Sequence, residues 1–77
     1  MQDGIYPSIR ALMGAIQDAR QTKDVEALEE EIQRLKDAID FWSEGLEEGS
    51  DTALELRITI AKRGVLLLEG IHTTLFD

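Results

Sequence analysis

Glu69 and His72 are the two side chains of this sequence best spaced for metal chemistry. Three residues apart on a helix, a carboxylate and an imidazole share one face and can bind the same metal ion. A homodimer would supply two such pairs, so a carboxylate–histidine metal site in a helical bundle is one functional hypothesis. Such a site also needs inward-facing carboxylates from neighbouring helices, and the apolar faces of those helices carry none. We therefore expect His72 to be packed or hydrogen-bonded, with no metal.

Acidic residues three apart recur along the middle of the chain, as Glu26 and Glu29, Asp37 and Asp40, and Glu44 and Glu47. This spacing resembles the magnesium-binding carboxylates of the all-α nucleotide pyrophosphohydrolases, and the resemblance would imply a magnesium site. Each pair lies off the apolar stripe of its helix, so we interpret the pairs as a solvated face. On that face we expect ion pairs of Glu30 with Arg34 and of Lys36 with Asp40.

No other reactive set is visible in the sequence. One histidine and no cysteine leave no catalytic Cys–His pair, and neither a Ser–His–Asp set nor a glycine-rich phosphate loop is recognisable. The absence of cysteine also excludes disulfides and thiolate metal sites. We therefore predict a protein that is not an enzyme and carries no cofactor.

The chain of 77 residues is expected to form one domain over residues 1–77, near the lower size limit for a chain that folds alone. The longest apolar run, residues 65–68, is far shorter than the roughly 20 residues that cross a bilayer. Residues 1–4 show no signal-peptide pattern, and the lack of cysteine fits a reducing cytosol. We expect a cytoplasmic protein without a membrane contact.

The net charge of −8 is concentrated in the middle of the chain. Residues 24–52 hold eleven of the 16 acidic side chains and only two of the eight basic ones. A chain this acidic is repelled by a phosphate backbone, so we expect no nucleic-acid binding. The acidic segment could instead compete with nucleic acid for a basic protein, and this charge mimic is an alternative function that predicts salt-sensitive binding.

Apolar side chains recur every three or four residues, which predicts an all-α chain with helices over residues 6–21, 25–47 and 53–75. Pro7 suits the first turn of the first helix, and Asp24 is a typical N-cap for the second. Thr52 followed by Glu55 matches a capping box at the start of the third. The apolar stripe of the first helix consists of Ile5, Ile9, Leu12, Met13, Ile16 and Ala19.

The second predicted helix carries an unbroken heptad repeat. Its a positions are Val25, Ile32, Ile39 and Leu46, and its d positions are Leu28, Leu35 and Trp42. Mostly β-branched a positions with leucine at d are typical of parallel two-stranded coiled coils. The flanking charges of such a pair would both attract and repel, so packing of this stripe within the same chain is the favoured alternative. Ala38, Phe41 and Gly45 form a second, smaller apolar patch.

The third predicted helix is apolar over roughly 200° of its circumference. One stripe is Leu54, Ile58, Ala61, Val65, Leu68, His72 and Leu75, and a second is Leu56, Ile60, Leu67 and Ile71. A helix this apolar must be buried on more than one side. Gly64 lies within the arc, where glycine destabilises a helix by up to about 1 kcal/mol relative to alanine. A close approach of another helix would explain why glycine is tolerated there, so we expect one at this position. Arg57, the charged side chain of the arc, is expected to reach an acid on the second helix.

These faces predict an antiparallel up-down-up bundle of three helices. The first helix is about seven residues shorter than the others and leaves roughly 10 Å of the groove between them uncovered. We predict that a second copy covers this groove in a homodimer. The leading hypothesis is therefore a non-catalytic interaction or accessory protein that works as a homo-oligomer. The expected partner interface consists of Phe41, Trp42, Leu56, Ile60, Gly64, Leu67 and Ile71.

Overall fold

The computed structural model describes residues 6–47, 49 and 51–76. This part of the chain forms an all-α bundle without strands, in which α1 spans Ile9–Gln21, α2 spans Val25–Glu47 and α3 spans Thr52–Phe76. The predicted helical class is confirmed, and Ile5 of the predicted first stripe lies outside the described residues. The principal extents of 42 × 18 × 18 Å show that the bundle is elongated.

The first helix begins at Ile9 rather than near Tyr6. Tyr6 has a positive φ of 46°, and Ser8 is extended with φ −150° and ψ 164°, so neither continues a right-handed helix. The Ser8 hydroxyl accepts a hydrogen bond from the backbone N–H of Ala11 at 3.1 Å and serves as the N-cap. Pro7 thus precedes the helix instead of occupying its first turn.

Aspartate side chains cap the other two helices. The Asp24 carboxylate accepts from the backbone N–H of Glu26 at 3.0 Å, which confirms the predicted cap of α2. The Asp51 carboxylate accepts from the N–H two residues further on at 3.0 Å, so the capping box predicted at Thr52 and Glu55 is wrong by one position. Aspartate and threonine both favour N-caps, and the carboxylate also interacts favourably with the positive end of the helix dipole.

The core is formed by one stripe from each helix together with Tyr6, which lies three positions before the start of α1. It consists of Tyr6, Leu12, Ile16, Ala19, Leu28, Ile32, Leu35, Ala38, Trp42, Ile58, Ala61, Val65 and Leu68. The three d positions of α2 are buried here, whereas Val25, Ile39 and Leu46 at a positions are only half-buried. The d positions of the heptad stripe, together with Ile32, are therefore packed within the same chain. Ala38 is fully buried, while Met13 of the predicted α1 stripe is 53% exposed.

α2 packs chiefly against α3, and the two helices run in opposite directions. His72 near the end of α3 contacts Glu29 near the start of α2. At the other end of the pair, Arg57 near the start of α3 lies over the ring of Trp42 near the end of α2. α1 has 13 residues against 23 and 25 in its neighbours, so it covers only part of the α2–α3 pair.

Candidate interaction surfaces

An open groove of about 390 Å³ lies between α1 and α3. Met13 and Ile16 line it from α1, and Ile60 and Leu67 line it from α3. Met13 and Leu67 are exposed at its mouth, whereas Ile16 belongs to the core beneath it. The groove is therefore an apolar surface that remains in contact with water beside the second half of α1.

Two arginines stand on the rim of this groove. Arg20 belongs to α1 and Arg63 to α3, and both are exposed. Arg20 donates a hydrogen bond to the side-chain oxygen of Gln17 at 3.0 Å. Within residues 6–47, 49 and 51–76 neither arginine forms an ion pair with a carboxylate. The apolar groove thus carries positive charge that this part of the chain does not neutralise.

Gly64 forms a point of close approach between α3 and α1. A Cβ atom on residue 64 would collide with the Ile16 side chain and would lie 3.6 Å from Leu35 of α2. The close approach expected at Gly64 is therefore present, and the neighbouring helix that makes it is α1 of the same chain. Glycine has no Cβ atom, so two helices can approach closely at this position without displacing side chains.

The second apolar stripe of α3 is only partly covered. Leu56 is 49% exposed and Leu67 is 41% exposed, whereas Ile60 and Ile71 are half-buried against the core. Leu66 is 71% exposed but lies about 100° around the helix from Leu67, in the polar strip. The stripe therefore presents apolar side chains to solvent next to the groove.

A second pocket, of about 330 Å³, lies where the end of α2 meets the start of α3. Phe41, Trp42 and Glu44 of α2 line it, together with Gly45 and, across from them, Leu54 of α3. Phe41 is 49% exposed, while Trp42 is buried in the core. At this end part of the space between α2 and α3 is open, as the short first helix predicts.

The Arg57 side chain does not reach an acid on α2, and that expectation is wrong. Its guanidinium carbon lies 5.9 Å from the centre of the Trp42 ring, within cation–π range. One guanidinium N–H also donates to the backbone carbonyl of Pro7 at 3.3 Å. The register of the two antiparallel helices sets Arg57 opposite an aromatic ring, so the ring and a carbonyl take the place of the carboxylate.

Tyr6 is a buried residue that the sequence pattern does not reveal. Its ring lies 6.2 Å from that of Trp42 at an interplanar angle of 58°, and its hydroxyl donates to the carboxylate of Glu31. Burial, and after it the hydrogen bond to Glu31, raises the pKa of Tyr6 well above its usual range. The positive φ of Tyr6 is a strained conformation for a non-glycine residue, and packing against Trp42 and Glu31 holds it.

Each half of the Glu69–His72 pair contacts a charged residue of α2. His72 Nε2 lies 2.8 Å from a carboxylate oxygen of Glu29, and Glu69 lies 3.3 Å from the Lys36 ammonium. The prediction of a packed or hydrogen-bonded His72 is confirmed. Among the described residues, no cluster of three His, Asp or Glu side chains has the proximity that a metal site requires.

The exposed face of α2 is less neutralised than the sequence predicts. Arg34 lies 3.6 Å from Glu31 rather than pairing with Glu30, and Lys36 turns to α3 rather than to Asp40. Arg34 thus pairs with the half-buried Glu31 of its own helix, and Lys36 pairs with Glu69 of the neighbouring helix α3. In the described part of the chain, Glu30 and Asp40 have no cationic partner.

The structure divides the predicted interface residues among four places. Ile60, Gly64 and Leu67 lie together in the groove between α1 and α3, and Phe41 lies in the pocket at the end of α2. Trp42 is part of the core, and Leu56 and Ile71 extend the α3 stripe on either side of the groove. Sequence reasoning missed the groove residues Met13, Gln17, Arg20 and Arg63. The position of Met13 at the edge of its stripe was the available signal.

Comparison of the chain with protein-family models, with curated proteins and with solved structures found no significant match. In the part of the chain that the structure describes, no helix combines the length and the apolar character needed to span a lipid bilayer.

Proposed function

We propose that this chain is a cytoplasmic, non-catalytic interaction protein that works as a homo-oligomer, in which a second copy completes an up-down-up bundle. The observation that carries the proposal is the apolar surface shared by α1 and α3. Met13, Leu56 and Leu67 are 53%, 49% and 41% exposed there, beside a groove that is itself lined by apolar side chains. Contiguous apolar surface of this kind marks contact sites on soluble proteins.

Association has an energetic reason in a chain of this size. A domain of 77 residues buries a small fraction of its surface and has little stability in reserve. Each large aliphatic side chain moved fully out of water contributes about 1.5–3 kcal/mol. The half-covered residues of the α3 stripe can gain part of that contribution only from another molecule, because α1 is too short to cover them all.

The test is the molar mass in solution, measured by light scattering on a size-exclusion column across micromolar concentrations. We expect an oligomer for the natural sequence and a shift to monomer for Leu67→Gln. Leu66→Gln is the matched control, because it changes a neighbouring, more exposed leucine on the polar side of α3 and should leave the mass unchanged. A monomer at every concentration for the natural sequence would refute the proposal.

The acidic face of α2 favours a second candidate, a charge mimic that occupies the nucleic-acid site of a basic protein. Glu30, Asp40 and Glu47 are exposed and lack cationic partners within the described residues. Such binding weakens steeply as salt rises, since it depends on long-range attraction. Capture of basic proteins by the intact chain at 50 and 500 mM salt (roughly 14 and 4 Å screening lengths) tests it. Capture that survives the higher salt would favour the apolar surface instead.

A further inference from the structure

We infer that self-association joins two different surfaces: the Phe41 face of α2 in one copy docks into the groove between α1 and α3 of another. The Phe41 face is defined as Phe41 with its exposed neighbours Asp37 and Glu44. The inference rests on the proposed homo-oligomer and specifies which surfaces meet in it. Each copy can then supply both the Phe41 face that is inserted and the groove that receives it.

The Phe41 face combines an apolar side chain with negative charge. Asp37 and Glu44 lie four residues before and three residues after Phe41, so all three share one side of α2. Asp37 accepts a hydrogen bond from the Gln33 amide at 3.0 Å. Neither carboxylate forms an ion pair within the described part of the chain. An exposed aromatic ring therefore stands between two unneutralised acids.

The groove has the complementary features. Its walls include Met13 and Leu67, and its rim carries the unneutralised cations Arg20 and Arg63. The volume of about 390 Å³ falls in the range of pockets that hold small molecules, about 300–1,000 Å³, so one phenyl ring fits. An aromatic side chain in an apolar pocket, with arginines around it, is the composition typical of energetically important interface contacts.

Charge also argues against the simplest alternative, a symmetric contact of groove with groove. That arrangement would bring Arg20 and Arg63 of both copies together, with no acid among the described residues that line either groove. Like charges across an interface cost several kcal/mol. Docking of the Phe41 face places Asp37 and Glu44 near the rim instead. Reciprocal docking closes a dimer, whereas one-way docking builds an open chain.

The experiment uses charge reversal at the two surfaces. The groove variant carries Arg20→Glu and Arg63→Glu, and the face variant carries Asp37→Lys and Glu44→Lys. Each alone should raise the dissociation constant of self-association by at least about tenfold. Mixed in equal amounts, the two should form a 1:1 complex, because each acidic surface then meets a basic one. Light scattering measures the masses, and far-ultraviolet circular dichroism checks that each variant is helical.

Two controls separate this inference from the proposed function. Lys62→Glu reverses a charge beside Arg63 but outside the groove and should leave the mass unchanged, while Phe41→Ser should weaken association with no change in charge. If the natural sequence is oligomeric and both charge variants stay so, the inference is wrong and the homo-oligomer stands. Folded, monomeric variants that fail to combine also contradict it. A monomeric natural sequence refutes both.

Discussion

Gly64 of α3 faces Ile16 of α1 so closely that a Cβ atom on residue 64 would lie 2.6 Å from Ile16 Cδ1 and 3.0 Å from Cγ1. Ile16 is itself buried in the core, so its side chain has little room to move. The contact fixes how near the short first helix lies to α3. Both residues also line the groove between the two helices.

We expect Gly64→Ala to destabilise the fold despite the better helix propensity of alanine. Propensity favours alanine by about 1 kcal/mol, but overpacking in a core costs about 1–3 kcal/mol. The net loss should be about 1 kcal/mol in urea denaturation. Gly14→Ala and Gly70→Ala are matched controls with open space around the added methyl group, and each should stabilise by about 0.5–1 kcal/mol. Equal effects at the three glycines would contradict the close contact.

Replacing Tyr6 with phenylalanine should lower stability although the ring is retained. The change removes the hydroxyl that donates to Glu31 and leaves this half-buried carboxylate with its ion pair to Arg34. A hydrogen bond to a charged group of this kind is worth about 1–2 kcal/mol. Chemical denaturation at pH 7 measures the loss, and a change below the error of the method would show that the hydroxyl contributes nothing.

The raised pKa of Tyr6 predicts a specific weakness at alkaline pH. Below the ordinary tyrosine pKa of about 10 both the folded and the unfolded chain keep the proton, so the group has no effect on stability. Above it the unfolded chain loses the proton while the folded chain retains it, so stability falls by on the order of 1 kcal/mol per pH unit. Denaturation midpoints at pH 9 and 11 should therefore fall further for the natural sequence than for Tyr6→Phe. An equal fall of the denaturation midpoint in the two proteins would show that ionisation of Tyr6 does not affect stability.

Two leucines of α3 that are two positions apart should lose very different amounts of stability on truncation. Leu68 is fully buried, and Leu68→Ala should cost about 2–5 kcal/mol through lost burial and the cavity left behind. Leu66 is 71% exposed, and Leu66→Ala should change stability by less than about 0.5 kcal/mol. Thermal unfolding, monitored by circular dichroism, measures both variants. Equal unfolding midpoints for the two would contradict the prediction.

A metal-uptake experiment tests directly whether Glu69 and His72 bind a metal ion. Binding would require His72 to leave Glu29 and Glu69 to leave Lys36. We expect dialysis against Fe²⁺ or Zn²⁺ followed by elemental analysis to show no stoichiometric metal, with the same result for His72→Ala. One metal per dimer, lost in His72→Ala, would instead support the carboxylate–histidine bundle.

Local sequence patterns predicted the helices well because their signals act within a few residues. The 3–4 spacing of Ile58, Ala61, Val65 and Leu68 identified the side of α3 that enters the core. The α2 cap at Asp24 followed from residue type alone. The third cap was misplaced by one residue, since Asp51 and Thr52 are adjacent and both suit the position.

The surfaces depend on contacts between distant parts of the chain, which periodicity does not encode. Arg57 and Pro7 are 50 residues apart, and only the register between helices brings them together. Tyr6 stands outside any helix, so no stripe marked it as a core residue. Arg20 and Arg63 belong to different helices, and only the packing of α1 against α3 sets them on one rim.

The chain has one tyrosine and one tryptophan, and both rings lie at the same end of the bundle. The contact of His72 with Glu29 is about 20 Å further along α2 from Trp42, as the helical rise gives. Intrinsic fluorescence therefore reports on one end only. If the far end frays first on heating, an emission-based melt will give a higher midpoint than backbone circular dichroism, and the gap between the two curves will measure how independently the ends open.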